Sequence, residues 1–350
     1  MWSDVFILGL AFFLAAFLRW AFRTLPNEGW QMLAAIPVLK QDPDTWYGIN
    51  FTYYGVLVAA SCVFSTALAL VLMGSIGVPG LVCLLIVATI LGLCMPAARI
   101  VAGYVERRKH TLTIAGPSFV GIVTAPAVVW LADQVFAPCI GTGIPLFPVL
   151  AALSVAYAMG EGLGRLACIS FGCCYGRPLA DCHPLLQRAF ARYGFIFSGK
   201  TKKIAYESGL EGEPVIPIQA ITSIVFVTVA VLGMLLYFKG WYAETLIVSI
   251  TVTQLWRIIS EILRSDYRGE SRWSVYQGLA FLAVLYCVVI YFVLPPGSDV
   301  SADLVKGLET LWNPAVILLL LAVFAATFLW TGWSTVTAST IAFHVRRPSP

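Results

Sequence analysis

The stretch "WRIISEILRSD" places Arg257, Glu261 and Arg264 at i, i+4 and i+7 within an otherwise apolar run. In a helix that spacing projects all three side chains from one face, and such a face cannot point at lipid. Arg99 closes an earlier apolar run in "PAARIVAGY", and Arg165 follows another. Two readings are open. The arginines could form buried ion pairs that only join helices. Alternatively, several arginines set against one intramembrane glutamate leave positive charge to be completed by an anionic ligand, most simply a phosphate gripped by guanidinium forks.

The stretch "GRLACISFGCCYGRP" gathers Cys168, Cys173 and Cys174 between Arg165 and Arg177, with Cys182 and His183 soon after. These are soft ligands in number enough for zinc, yet no pair has the Cys-x-x-Cys spacing that marks a zinc site. Neighbouring cations lower a thiol pKa, so a nucleophile at Cys173 or Cys174 is chemically sensible. A disulfide from either to Cys182 in an oxidising compartment, or simple packing, are the other readings. Neither a metal nor a cofactor is expected. Tyr54, in "NFTYYGVLVAA", is either an interfacial aromatic anchor or a site residue. Gly116, Ser118 and Gly121, in "IAGPSFVG", allow another helix or a ligand close to the backbone. Gln219 and Gln277 open two further apolar runs as polar helix-end residues.

The elements that must carry these residues follow from composition. Of 350 residues, 59% are hydrophobic and 11% charged, with mean hydropathy +0.86. About nine uncharged runs reach the length needed to cross the hydrocarbon, and they are continuous rather than alternating, which selects helices over a barrel. They cover residues 4–22, 51–73, 79–98, 117–136, 146–163, 216–238, 241–263, 275–294 and 314–335. The expected fold is therefore all-α, a polytopic transmembrane helical bundle with a small surface domain at residues 164–215, between the fifth and sixth spans. The first run lacks a preceding basic region and a small-residue cleavage site, so it is expected to be retained. Of the nine cysteines, Cys62, Cys83, Cys94, Cys139 and Cys287 stand singly in or beside apolar runs and read as small buried hydrophobes. A formal net charge of +4 does not imply a nucleic-acid surface.

The ordered set "YYG", "ARIVAGY", "AGPSFVG", "GEGLGRLACISFGCCYGRP", "PIQ", "RIISEILRSD" and "YQG" resembles the prolipoprotein diacylglyceryl transferase family, from about residue 46 to about residue 294. The resemblance implies a helical enzyme of the bacterial inner membrane. Such enzymes move a diacylglyceryl group from phosphatidylglycerol to a cysteine thiol of a lipoprotein precursor and release glycerol phosphate. It places Tyr54 on the family's essential tyrosine, Arg165 on the arginine of its signature and Gly172 and Gly176 on the signature glycines. Arg257 and Glu261 fall on the arginine and glutamate of its late helix. A phospholipid headgroup is then expected among Arg99, Gly116, Ser118, Gly121, Gly172, Gly176, Arg177, Gln219, Arg264 and Gln277. Residues 1–45 and 295–350 become an additional span at either end of a transferase-like domain over 46–294.

The departures bear on the chemistry. Cys168 and Phe171 stand where the family carries asparagines, Cys173 where it carries an acid, and Val120 where it carries a histidine. His110 and His183 are the nearby imidazoles that could replace that histidine as the base for thiol attack. Two further readings stay open on these grounds: a different acceptor, with Cys173 or Cys174 as a covalent relay, and a non-catalytic phospholipid-binding protein. The basic loops "ERRKH", 164–215 and "RSDYRGESR" would be cytoplasmic by charge alone. The resemblance implies the opposite, with the N-terminus inside and the signature loop outside; that arrangement is the one expected here.

Overall fold

The computed structural model describes residues 2–106, 115–266, 274–294 and 300–344. Nine helices among them are long and apolar enough to cross a membrane. In chain order the elements are α1 (Trp2–Thr24), β1 (Met32–Lys40), β2 (Thr45–Thr52), α2 (Tyr53–Ser75), α3 (Gly80–Glu106), α4 (Ala115–Ile140) and α5 (Leu146–Phe171). There follow α6 (Pro184–Phe190), β3 (Phe195–Ile196), α7 (Lys203–Ser208), β4 (Pro214–Val215), α8 (Ile218–Phe238) and α9 (Tyr242–Leu263). The chain ends with α10 (Val275–Val293), α11 (Leu304–Leu311), α12 (Pro314–Thr331) and β5 (Trp333–Ala342). The spans are α1 to α5, α8 to α10 and α12.

The central helix is α5. It is the most buried span and packs against α2, α8 and α9. Its small residues explain that position, since lipid tails give no hydrophobic drive between helices and close backbone approach must supply the packing. A Cβ on Gly160 would stand 2.7 Å from Ser65 Cβ of α2, and one on Gly162 would stand 2.9 Å from Val227 Cγ2 of α8. Glycine is thus what lets both neighbours close on α5.

Two of the span boundaries that differ from the sequence expectation bear on the site. The fifth span does not stop at residue 163: α5 continues through "GRLACISF" to Phe171 and is capped by Gly172 at φ 72°. Arg165 and Cys168 are therefore helix residues, and the surface excursion begins at Gly172. The helix can continue because Arg165 is paired within the bundle, so its charge does not force an exit to water. The last span ends at Thr331, and the residues after Gly332 form a strand. "STVTASTIA" is rich in β-branched residues, which favour a pleated surface over a helix.

That strand completes a sheet not anticipated from the sequence. β1, β2 and β5 pair antiparallel in the order β1-β2-β5, with Ile49 opposite Ile36 on one side and Ala338 on the other. The hairpin between β1 and β2 turns at "QDPD", where Thr45 Oγ1 donates to Asp42 Oδ2 at 3.0 Å. The sheet is tied to the bundle where Thr52 donates to the Gly332 carbonyl from its backbone N–H at 2.8 Å and its hydroxyl at 2.9 Å.

The excursion from Gly172 to Pro217 folds over the same end of the bundle. Beneath it, Lys202 is 0% exposed and its Nζ donates to the carbonyls of Ser170 at 2.7 Å and Leu25 at 3.2 Å, which clamps the ends of α5 and α1 together. Burial, opposed by the nearby Glu28, lowers its pKa to about 8. Gln31 Nε2 donates to the Thr201 carbonyl at 2.7 Å and Gln31 Oε1 accepts from the Thr201 hydroxyl at 2.8 Å, which fastens the segment before β1 to the same cap.

Candidate active site

A cavity of about 1880 Å³ opens between α2, α3, α4, α5, α9 and α12 and is closed in part by the excursion and β5. At its polar end a carboxylate that the sequence reading did not single out organises the site. Glu161 of α5 accepts from Arg165, one turn along the same helix, through a close hydrogen bond, and from Arg257 Nη2 of α9 at 2.5 Å. Arg257 Nη2 also donates to the Tyr157 hydroxyl at 3.1 Å, which accepts from Gln254 Nε2 at 2.9 Å. Glu161, Arg165 and Arg257 are all buried. The signal was present in "GEGLGR": glutamate and arginine at i, i+4 inside an apolar run mark a pair on one helical face.

The expected balance of several arginines against one glutamate is corrected by this geometry. Arg264 is neutralised separately, with Nε and Nη2 each donating at 2.7 Å to Asp266 and Nη1 lying 3.7 Å from Glu261. Burial opposes the charge of Arg264, but Asp266, with Cys174 and Glu261, raises its pKa well above the usual value. Glu261 therefore supports Arg264 rather than Arg257, although both line the cavity. Arg165 and Arg257 share one carboxylate, and the Nε atoms of both are buried with no partner among the described residues. The described lining holds five cations (Arg99, Arg165, Lys203, Arg257, Arg264) and four carboxylates (Glu161, Glu207, Glu261, Asp266), so one positive charge remains in excess.

Other residues named from the sequence divide into those the cavity gathers and those it does not. Tyr54, Ser118, Gly121, Gln219, Cys168, Cys173 and Cys174 line it. The Tyr54 ring meets Phe171 edge-on at 5.6 Å, and Gln219 Nε2 donates to the Cys173 carbonyl at 2.9 Å while its Oε1 is buried without a partner among the described residues. Arg99 lines the opposite wall with its guanidinium 5.6 Å from the centre of the Trp330 ring. The sulfurs of Cys168, Cys173 and Cys174 lie within 4.8 Å of one another. Hydrogen bonding to Cys168 and Cys174, together with burial, keeps the Cys173 thiol well above the usual thiol range.

Gly116, Gly172, Gly176, Arg177, Gln277 and His183 are not among the lining residues. Gly116 packs α4 on α3, where a Cβ would meet Val101 at 2.7 Å. Gly172 caps α5, and a Cβ on Gly176 would stand 2.3 Å from the Ile216 carbonyl oxygen. The Arg177 side chain is exposed, and its backbone bridges the Leu263 carbonyl and the Ile216 N–H. Gln277 forms a capping box with Ser274 and donates to the Ile258 carbonyl at 3.1 Å, which joins α10 to α9. His183 caps α6, with Nδ1 accepting from the Leu185 N–H at 3.4 Å. His110 lies outside the described residues. None of the nine cysteines forms a disulfide, and Cys182 Sγ donates to the Pro178 carbonyl at 3.2 Å rather than joining the other thiols.

The cavity thus joins a largely apolar lining to a pair of buried guanidinium groups held from α5 and α9. No curated protein matches the chain. The family model described as prolipoprotein diacylglyceryl transferase matches residues 45–293, a segment that carries every residue of the Glu161 cluster. The chain is thus a multi-pass membrane protein that belongs to the prolipoprotein diacylglyceryl transferase family, a family of transferases in lipoprotein biosynthesis.

Proposed function

We propose that the chain transfers a diacylglyceryl group from phosphatidylglycerol to the cysteine thiol of a lipoprotein precursor, in a bacterial inner membrane. The observation that carries the reading is the pair of unpartnered Nε–H groups on Arg165 and Arg257, held from two helices around one carboxylate. Buried donors left unpaired cost about 1–3 kcal/mol each, and a phosphate between them would remove that cost. The acyl chains would lie in the apolar part of the cavity, between α3, α4 and α12.

In this reading the acceptor thiol releases its proton to solvent, and its sulfur attacks the glyceryl carbon bonded to phosphate oxygen. The carbon–sulfur bond forms as the carbon–oxygen bond breaks, and the electron pair passes to the phosphate, which leaves as glycerol phosphate. Negative charge grows on that oxygen, so the guanidinium pair acts by electrostatic stabilisation in a water-poor site. Glu161 positions both guanidinium groups, one through each carboxylate oxygen. Tyr54 and Gln219 are polar groups of the same cavity that would orient the glyceryl and phosphate moieties.

The test is incubation of the purified protein with labelled phosphatidylglycerol and a peptide containing a lipobox cysteine, followed by mass analysis of lipid and peptide. The expected result is a peptide heavier by one diacylglyceryl group and free glycerol phosphate. Lipid that stays intact while bound would favour the phospholipid-binding alternative.

A further inference from the structure

Cys168 comes from the last turn of α5, and Cys173 and Cys174 come from the turn after its Gly172 cap. Consecutive side chains of an extended segment point apart, so two adjacent cysteines converge on a third only if the backbone turns between them. It does so here: Cys174 has φ 56°, the one positive value at a non-glycine among the described residues. The outcome is three sulfurs within 4.8 Å of one another on the wall of the same cavity that holds Arg165, Glu161 and Arg257.

Three thiolates are a soft donor set, which selects zinc or copper(I) over hard cations. Tetrahedral zinc with bonds of about 2.3 Å sets its sulfurs about 3.8 Å apart, so side-chain rotation by under about 1 Å would close the observed cluster on such an ion. No histidine lines the cavity among the described residues, and each lining carboxylate is engaged with an arginine or lysine.

We infer that Cys168, Cys173 and Cys174 bind a zinc ion whose fourth position opens to the cavity and receives the acceptor thiol. The role of that position rests on the transferase reading above; the metal site itself does not. Coordination displaces the thiol proton to water, because a thiol bound to a metal dication is deprotonated outright. The bound thiolate then attacks the glyceryl carbon, and the carbon–oxygen electron pair passes to the phosphate between Arg165 and Arg257. No oxidation state changes. The thioether product is a weak ligand and leaves the position free.

The test uses the full-length protein in detergent. Loaded with Zn(II) and desalted, the wild type is expected to keep one zinc per chain, as is Cys83→Ala, whereas the Cys168→Ser, Cys173→Ser, Cys174→Ser triple variant keeps none. Co(II) in the wild type, where no variant has to fold, should give a thiolate-to-cobalt charge-transfer band of three-thiolate intensity. Its d–d bands should shift on adding a peptide with a single cysteine and stay fixed with the serine peptide. Wild type that retains no zinc, a triple variant that retains as much as wild type, or a site that takes only Cu(I) overturns the assignment. Cobalt bands blind to the cysteine peptide, or a diacylglyceryl adduct on Cys173 or Cys174, overturn the thiol-activating role. Zinc and cobalt responses as expected without any transfer from phosphatidylglycerol would fault the transferase reading alone; transfer unchanged after complete zinc removal would fault this inference alone.

Discussion

Glu161→Gln keeps the shape of the central side chain and removes its charge, which leaves two buried guanidinium groups without a counter-ion. Breaking a buried pair in this way costs about 3–5 kcal/mol. The variant is expected to lose turnover by at least about 100-fold, the range set by loss of one preorganised electrostatic contact, and to melt at lower temperature; normal turnover would remove Glu161 from the machinery. Lys202 offers a pH test away from the site. Its folded pKa of about 8 lies below the ordinary lysine value of 10.5, so the unfolded chain holds a proton that the folded one releases between those values. Its contribution to stability therefore rises across that window, and the melting temperature of wild type relative to Lys202→Met should rise as pH increases from 8 to 10.5. A constant difference would contradict the lowered pKa. Of these residues, Arg165 and Arg257 were legible because charge stands out in apolar sequence. Glu161 was not, because glycines on either side made "GEGLGR" resemble the end of a span. Lys202 is one of several lysines in "GKTKK", and its burial depends on carbonyls from α1 and α5 that only the assembled fold brings near.

At the scale of elements, the site depends on where α9 ends and how the excursion reaches it. Gly176 bridges to Arg264, and the neighbouring Arg177 N–H donates to the Leu263 carbonyl at 3.1 Å. A Cβ at Gly176 would be 2.3 Å from the Ile216 carbonyl oxygen, so Gly176→Ala must displace the strand-like segment that holds Arg264 on the cavity wall. The expected outcome is a fall in turnover of about tenfold or more with a melting temperature lowered by only a few degrees, as for a loss of about 1 kcal/mol. Unchanged kinetics would show that the bridge does not position Arg264. Helical spans were readable from continuous apolar runs, yet the two ends that build the site were not. The fifth span continues past its first arginine because that charge is paired inside the bundle. The last span ends at Gly332, and "STVTASTIA" becomes β5 because its partner strand β2 lies some 280 residues earlier, a pairing that no local pattern reports.

For the whole molecule, alternation of the nine spans puts the excursion, the three-stranded sheet and the polar end of the cavity on one face, with the N-terminus of α1 and the α11 segment on the other. We propose, from the arrangement the family resemblance implies, that the cavity's polar face lies outside the membrane. Cys182, half-buried in the excursion and outside the thiol cluster, reports it: a membrane-impermeant maleimide should label it from the periplasmic side, and labelling from the cytoplasm alone would invert the topology. The charge of the loops argued for the opposite side, since lysine and arginine usually mark the cytoplasm; part of that charge belongs to ion pairs of the site, such as Arg264 with Asp266 and Lys203 with Glu207, and is spent on structure rather than orientation. The account as a whole turns on a phosphate held by Arg165 and Arg257 together. A structure of the protein with a non-cleavable phosphonate analogue of phosphatidylglycerol measures this directly. The account predicts phosphonate oxygens within hydrogen-bond distance of both guanidinium groups and acyl chains in the cavity; a headgroup held elsewhere, with both Nε–H groups facing water, would contradict it.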